Sequence, residues 1–90
     1  MPKNSGTLPL GKIELPNIVR TSADLGVAVR QQRQHLGLKQ DEVAGLGNTG
    51  TRFVGDLENG KPTIQLQKAL DLLELLGLEV VVRAKSGRLS

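Results

Sequence analysis

The segment from Gly55 to Pro62, GDLENGKP, is the part of the sequence that most nearly matches a site for phosphate chemistry. A phosphate-binding loop has the pattern G-x-x-x-x-G-K-[ST], in which backbone N–H groups surround the phosphates and the final hydroxyl binds Mg²⁺. Here Pro62 stands at the hydroxyl position and offers neither a hydroxyl nor an N–H group. Asp56 and Glu58 would add negative charge beside the phosphates. We therefore interpret the segment as the end of a helix, with Gly60 just beyond its last turn.

The other acidic residues do not suggest a catalytic pair. Asp41 and Glu42 are most simply acids in the first turn of a helix, and no nucleophile is accompanied by a base along the chain. The sequence has no Cys, a single His and neither Trp nor Tyr, which leaves little material for a metal centre or a ligand cage. We predict that the protein is not an enzyme and has no catalytic residue, metal site or cofactor.

The size and charge of the chain favour one small binding domain. The sequence has 90 residues and a net charge of +3, a balance that suggests an anionic partner such as nucleic acid but is equally typical of a basic domain with no nucleic-acid role. No apolar run reaches the roughly 18 residues that span a bilayer, and the first residues lack the apolar stretch of a signal peptide. We predict a cytoplasmic protein without a membrane partner.

Apolar spacing and capping residues predict a mainly α chain. Residues 1–20 are rich in Pro and Gly and are expected to form a flexible arm. The expected helices are one capped by Ser22 and closed by Gly37, a short one over residues 40–45, one from Thr51 to Glu58, and one from Ile64 to Leu76 that is capped by Thr63 and closed by Gly77. Residues 21–77 thus form the helical domain, residues 78–84 a short strand and residues 85–90 a basic tail.

The segment LEVVVR that follows Gly77 is β-branched and typical of a strand. A lone strand at the end of a helical domain has unpaired backbone groups and therefore needs a partner. Two partners are open, the region around Ile13 of the same chain and the same strand of a second subunit. Pro16 limits the first of these to an edge strand or to no strand.

The last predicted helix carries more apolar surface than one core face needs. One stripe consists of Leu66, Ala69, Leu70, Leu73 and Leu76, whereas Ile64, Leu72 and Leu75 lie well outside it. A wide apolar arc usually marks a second contact. We predict a homodimer whose interface contains Leu72, Leu75 and the three valines Val80, Val81 and Val82.

The two short central helices, joined by a tight turn with glycines, form a helix-turn-helix. The run RQHLGLKQDEVA at residues 33–44, followed by Val54 and by LENG at residues 57–60, resembles the phage-repressor-like (Xre, Cro/C1) DNA-binding family. That family has the pattern R-x-x-x-G-x-[ST]-Q-x-x-[LV]-A, about nine variable residues, an apolar residue and an apolar-Glu-x-Gly ending. The resemblance covers about residues 25–76 and implies a bundle of four to five short helices that binds double-stranded DNA.

The resemblance implies which residues would contact DNA. Gly50, Thr51, Arg52, Gly55 and Asp56 match the exposed positions of the recognition helix, which enters the major groove. Arg52 is the main candidate for reading guanine, with a phosphate contact or a solvated charge as the equal alternative. Asp56 would accept a hydrogen bond from cytosine N4 or remain in solvent. Gly55 either allows close approach to DNA, including a thymine methyl group, or is a poorly optimised helix position.

Contacts with the DNA backbone are implied for residues outside that helix. They are Lys39, Gln40, Arg30 and Lys61. Arg33 and Glu58 match positions that form a structural ion pair in the resembling domains. The sequence departs from the family pattern at Lys39, where Ser or Thr usually caps the helix, and at Asn48, where Gly usually makes the turn.

The ending GLEVVVRA at residues 77–84 is similar to that of the HipB-type antitoxins, a branch of the same family. This resemblance implies a repressor of its own operon that holds a HipA-like kinase toxin and is associated with the bacterial nucleoid. The composition alone does not imply the toxin. Two alternatives remain, a stand-alone Xre-family regulator and a helical protein-interaction module that does not bind DNA.

Overall fold

The structure, a computed structural model, describes residues 18–85. Within that range the regular elements are the helices α1 (Ser22–His35), α2 (Gln40–Leu46), α3 (Thr51–Glu58) and α4 (Leu66–Leu75). The prediction of a mainly α fold is confirmed. The predicted arm lies outside the described residues apart from residues 18–20, as does the predicted tail apart from Lys85.

The first helix is capped by Thr21 and not by Ser22, so the predicted cap is wrong by one residue. Thr21 Oγ1 accepts a hydrogen bond from the Asp24 N–H at 3.0 Å, and the Asp24 carboxylate accepts from the Thr21 N–H at 3.2 Å. This reciprocal pair forms a capping box. Ser22 has no acid three residues later, whereas Thr21 has Asp24, and that spacing decides which hydroxyl caps the helix.

The turn between α2 and α3 uses Asn48 in the left-handed region, with φ of 55°. Asn tolerates this conformation better than most residues, so it replaces the usual glycine at small cost. Lys39 provides no side-chain cap for α2, but the Glu42 carboxylate accepts a hydrogen bond from the Lys39 N–H at 2.7 Å. Gly60 follows the last turn of α3 with φ of 78°, as predicted.

The core lies where α1, α2 and α3 meet and is closed by α4. Val29, Val43, Val54 and Leu57 are the largest fully buried side chains. From α4 and its C-terminal end, four residues join them at helical spacing, namely Ala69, Leu72, Leu73 and Leu76. Gln32 in α1 also donates to the Leu76 carbonyl oxygen at 2.8 Å, which ties α1 to the end of α4.

The fourth helix begins later and faces the core with a different stripe than predicted. Gln65, and not Thr63, caps it, because a turn from Lys61 to Ile64 precedes the helix. Leu72, predicted for the dimer interface, is only 3% exposed and belongs to the core, whereas Leu66, predicted for the core stripe, is 64% exposed. The predicted and observed stripes share Ala69, Leu73 and Leu76, so the packing partners decide whether Leu66 or Leu72 joins them.

The predicted strand does not form between residues 78 and 85, and no strand is found anywhere in residues 18–85. Leu78 packs against the core, and its N–H donates to the Leu73 carbonyl oxygen at 2.9 Å. The valines beyond it are exposed, Val82 to 92%. A strand requires a hydrogen-bonded neighbour, and the described part of a single chain offers none.

Candidate nucleic-acid interface

The helix α3 has two faces with different surroundings. Val54, Leu57 and Glu58 are buried against the rest of the domain, whereas Thr51 and Arg52 are exposed. The inner face packs against both α1 and α2. The outer face of α3, which we define as Thr51, Arg52, Gly55 and Asp56, is therefore held at a fixed angle and faces away from the core.

Glu58 fixes the inner face through a cluster of charge-assisted hydrogen bonds. Its side chain is 0% exposed, and Arg33 donates to both of its oxygens, from Nε at 2.5 Å and from Nη2 at 3.0 Å. Arg33 Nη1 also donates to the Leu38 carbonyl oxygen at 2.9 Å. Bidentate pairs of this kind are both strong and directional, so Arg33 and Glu58 join α1, the loop before α2 and the end of α3.

The surroundings of Glu58 act on its pKa in opposite directions. Burial raises the pKa, but the hydrogen bonds from Arg33 and Gln40, with the Arg33 charge, lower it more, so the net shift is downward. The same pair raises the pKa of Arg33, because its hydrogen bond to Glu58 outweighs its partial burial. Both groups are charged at neutral pH, and the cluster acts as a structural tie.

Two of the predicted DNA-backbone contacts are engaged with Glu58. Gln40 Nε2 donates to Glu58 Oε1 at 3.0 Å, so this amide braces α2 against α3. Arg30 Nε lies 3.4 Å from the same oxygen, with the Arg30 side chain 48% exposed. Lys39, beside Gln40, is exposed at the start of α2. The sequence did not indicate that Arg30 and Gln40 share one carboxylate.

Asp56 and Lys61 form a pair at the end of the outer face. Lys61 Nζ lies 3.5 Å from Asp56 Oδ2, and both side chains are partly exposed. The Lys61 N–H also donates to the Asp56 carbonyl oxygen at 3.0 Å. The lysine thereby offsets the negative charge that Asp56 would bring towards DNA, and the second carboxylate oxygen stays available as an acceptor.

The two glycines of the predicted interface, Gly50 and Gly55, occupy different positions in α3. Gly50 occupies the N-cap position of α3 in an extended conformation and contributes no capping side chain. Gly55 lies in the helix interior, where an added Cβ atom would meet only Gln40 Oε1, at 3.9 Å. Neither position is filled by a neighbouring side chain, so the outer face of α3 stays open at both.

One cation near α3 was missed by the sequence analysis. Lys68 Nζ lies 5.4 Å from the centre of the Phe53 ring, at the flank of α3 that faces α4. This cation–π contact holds an ammonium group beside the N-terminal half of α3. The two residues are 15 positions apart and belong to different helices, so no local pattern pairs them.

Residues 18–85 contain no group of three or more His, Cys, Asp or Glu side chains placed to hold a metal ion. Over the same described range, no helix combines the length and the apolar composition that crossing a bilayer requires.

A short helix packed against a second helix whose outer face is open, inside a small helical core, defines a helix-turn-helix protein. The helix-turn-helix family model HTH_3 matches residues 29–82. The chain is also 44% identical over 70 residues to the uncharacterized HTH-type transcriptional regulator y4mF of Sinorhizobium fredii (strain NBRC 101917 / NGR234), a match that covers 78% of this chain and 92% of the relative. The chain therefore belongs to the HTH_3 helix-turn-helix family and is a transcriptional regulator of that type.

Solved structures with the same fold include chains of the "HipB-O4 20mer complex" and of the "Structure of HipA-HipB-O2-O3 complex". Each is 20% identical to this chain, covers 78% of it and 99% of the matched chain, and has a TM-score of 0.71 or 0.72, respectively. At this identity the likeness establishes the fold. The family consists of DNA-binding regulators and is not a family of enzymes.

Proposed function

We propose that this protein is a homodimeric, sequence-specific repressor that binds double-stranded DNA with the outer face of α3 in the major groove. The observation that carries the proposal is the division of α3 into a buried, ion-paired face and a face where Thr51 and Arg52 are exposed. A recognition helix needs both, because the scaffold sets its angle while its first residues reach the base edges. We place the protein on the nucleoid in the bacterial cytoplasm.

The side chains of the outer face have distinct proposed roles. The Arg52 guanidinium bonds O6 and N7 of a guanine together, and Thr51 contacts a phosphate or a thymine methyl group. Lys39, just before α2, and Lys61, just after α3, contact phosphates. Arg30 contacts the DNA backbone through those guanidinium nitrogen atoms that are not bonded to Glu58.

A second copy of the chain is the proposed partner for the exposed C-terminal segment. Val80, Val81 and Val82 are all exposed, as is Leu75 at 44%. A shallow hollow of about 240 Å³ lies between α4 and this segment, lined by Leu70, Leu73, Glu74, Leu78, Glu79 and Val80. Pairing two copies through residues 78–83 would cover this apolar surface and satisfy the backbone groups of the segment. A two-fold protein also suits a two-fold operator.

We further propose that the repressor is an antitoxin that autorepresses its operon and binds a HipA-like kinase toxin. The likeness of the fold to a chain of the HipA-HipB-O2-O3 complex supports this role. Copurification with the product of a neighbouring kinase-like gene tests it. Failure to copurify with such a product, or its absence from the operon, favours a stand-alone regulator.

The substitution Arg52→Ala tests the base-reading role. We expect it to weaken binding to the best DNA site by about 1–3 kcal/mol and to relax specificity at one base pair, because a bidentate contact to guanine is lost. Arg83→Ala is the matched control, since Arg83 is exposed in the C-terminal segment, outside the helix-turn-helix. Gel-shift titration against a site selected from random duplexes measures both. Equal binding by Arg52→Ala and the parent would remove Arg52 from base reading.

Deletion of residues 80–90 tests the dimer. This deletion keeps Leu78, which packs against the core, and removes the exposed valines. We expect a folded monomer, measured by light scattering after size-exclusion chromatography, whereas deletion of residues 86–90 alone should leave a dimer. A monomeric parent contradicts the dimer, and a dimer that persists without residues 80–90 places its interface elsewhere.

A protein-interaction module without DNA binding is the second candidate function. Two observations favour it: Gly50 and Gly55 leave α3 with few side chains that reach a groove, and Asp56 places a partly exposed acid on its outer face. The two functions separate in a gel shift at low salt, where even non-specific binding to duplex DNA is strong. No shift under those conditions selects the interaction module.

A further inference from the structure

Gly55 is a glycine in the interior of α3 that the fold itself does not require. An added Cβ atom would meet only Gln40 Oε1, at the ordinary contact distance of 3.9 Å, and the backbone there is helical. Gly26 in α1 is different, because a Cβ atom there would collide with the carbonyl oxygens of Leu57 and Glu58. Since glycine weakens a helix interior and a side chain would fit at Gly55, internal packing does not explain the glycine at this position.

The neighbouring Gln40 amide has a fixed direction. Its Nε2 donates to Glu58 Oε1 at 3.0 Å, and a carboxylate can only accept hydrogen bonds. The NH₂ group therefore faces Glu58, and Oε1 lies on the side of Gly55. No residue in the described range 18–85 donates a hydrogen bond to this oxygen. An oriented acceptor thus borders a position of α3 that has no side chain.

We infer that Gln40 Oε1, reached through the space at Gly55, accepts a hydrogen bond from an exocyclic amino group of a DNA base, adenine N6 or cytosine N4. This inference rests on the proposed function, because it needs α3 in the major groove. Docking removes water from the amide, and an acceptor that is covered without a donor is costly. In the major groove the base edges offer no other donors than these two amino groups.

This chemistry distinguishes the site from the other contacts that DNA offers. A phosphate oxygen is an acceptor and cannot pair with Oε1. A thymine methyl group fits the space but leaves Oε1 without a donor. Glu58 and Gly55 thereby change the role of Gln40: Glu58 orients the amide, Gly55 leaves the path open, and Gln40 becomes a residue that determines specificity.

The test combines base analogues with protein variants. The full-length parent protein first selects a duplex from a randomised pool. Each adenine of the selected site is then replaced by purine, which lacks the N6 amino group, and each cytosine by 2-pyrimidinone, which lacks the N4 amino group. We expect one replacement to weaken binding of the parent about 3- to 10-fold, the effect of one lost hydrogen bond. The base type of that position identifies the amino group.

Two variants connect that effect to the site. Gly55→Ala places a methyl group between Oε1 and the base, and Gln40→Leu removes the acceptor. Both should bind the unmodified site more weakly and lose the response to the sensitive replacement. Gly45→Ala is the matched control, since its added Cβ atom in α2 meets nothing within 4 Å, and it should respond as the parent does. Circular dichroism checks that each variant is folded.

The outcomes separate this inference from the proposed function. A parent that binds its selected site but tolerates every amino deletion overturns the inference alone, as do variants that keep the full response. A further experiment replaces each thymine of the selected site by uracil, which lacks the methyl group. If this replacement weakens binding of the parent but not of Gly55→Ala, the space at Gly55 accepts a thymine methyl group and the inference is wrong. A parent that enriches no duplex overturns the proposed function and this inference with it.

Discussion

The substitution Gly26→Ala should remove a large part of the unfolding free energy of this protein. A Cβ atom at this position would lie 2.6 Å from the Leu57 carbonyl oxygen and closer still to the Glu58 carbonyl oxygen. Both obstacles are backbone atoms at the end of α3, so relief requires α1 and α3 to separate. Overpacking a core typically costs about 1–3 kcal/mol, and a backbone clash between two helices belongs at about 3 kcal/mol or more. That is a large part of the stability of a small domain.

Urea titration followed by circular dichroism at 222 nm measures this effect, because the chain has neither Trp nor Tyr for fluorescence. Protein concentration must be equal throughout, since dimer formation would contribute to stability. Gly45→Ala is the control: with open space around it, it should stabilise α2 by about 0.5–1 kcal/mol. If Gly26→Ala is as stable as the parent, α1 and α3 do not approach as closely as described.

The second large effect is expected for Arg33→Met, at about 3 kcal/mol of lost unfolding free energy. Removing one partner of a buried ion pair leaves an uncompensated charge and costs about 3–5 kcal/mol. Glu58 is fully buried and keeps only the single hydrogen bonds from Arg30 and Gln40. These residual donors place the expected value at the lower end of the range.

Arg30→Met is the matched control, because it removes an arginine from the same carboxylate. Arg30 makes one contact at 3.4 Å and is 48% exposed, so its loss should cost no more than about 1 kcal/mol. Urea titration at neutral pH ranks the two variants. Equal losses from Arg33→Met and Arg30→Met would contradict the unequal roles that the geometry gives them.

The pH dependence of stability identifies the same carboxylate. The folded pKa of Glu58 is below its ordinary value of 4.5, so its contribution is fully present above pH 4.5 and is lost as the pH falls through the folded pKa. Asp24, whose pKa is also lowered by backbone hydrogen bonds, titrates in the same direction. We therefore expect Glu58→Gln to reduce the acid-induced loss of stability, while the part of the loss that comes from Asp24 remains.

The loss of unfolding free energy caused by Arg33→Met should also depend on pH. Without Arg33, burial remains as the main influence on Glu58 and raises its pKa. A protonated Glu58 no longer needs a cation, so the difference in stability between variant and parent should shrink as the pH falls from the raised Glu58 pKa of the variant to the lowered Glu58 pKa of the parent. A constant difference down to pH 3 would show that Arg33 acts by packing alone.

Local sequence determined the helices that carry the interface. Thr51 to Glu58 has the predicted bounds of α3, because the glycine and asparagine before it and Asn59-Gly60 after it end helical hydrogen bonding on both sides. Gly37, Gly60 and Gly77 all adopt positive φ after the last turn of a helix, which is the conformation that glycine adopts most readily. The exposure of Arg52 follows from the spacing of Val54 and Leu57 on the other face, whereas Thr51 is exposed as the first residue of the helix.

Contacts between the helices decided three features that local sequence patterns do not determine. In α4 two apolar stripes are nearly equivalent, and contact with the other helices buries Leu72 and leaves Leu66 exposed. The C-terminal segment has the composition of a strand, but strand formation depends on a hydrogen-bonded neighbour that composition does not supply. The partners of Glu58 come from α1 and α2, 18 to 28 positions away.

The sequence alone thus determined that this chain is a small helical protein with a helix-turn-helix, because capping, periodicity and glycine placement act over a few residues. Only the folded arrangement decided that Gln40 and Arg30 share Glu58, that Lys68 covers Phe53, and that Gly26, unlike Gly55, has no room for a side chain. These relations depend on how close separate helices lie to one another. That distance is set by the packing of the whole core and not by any one segment.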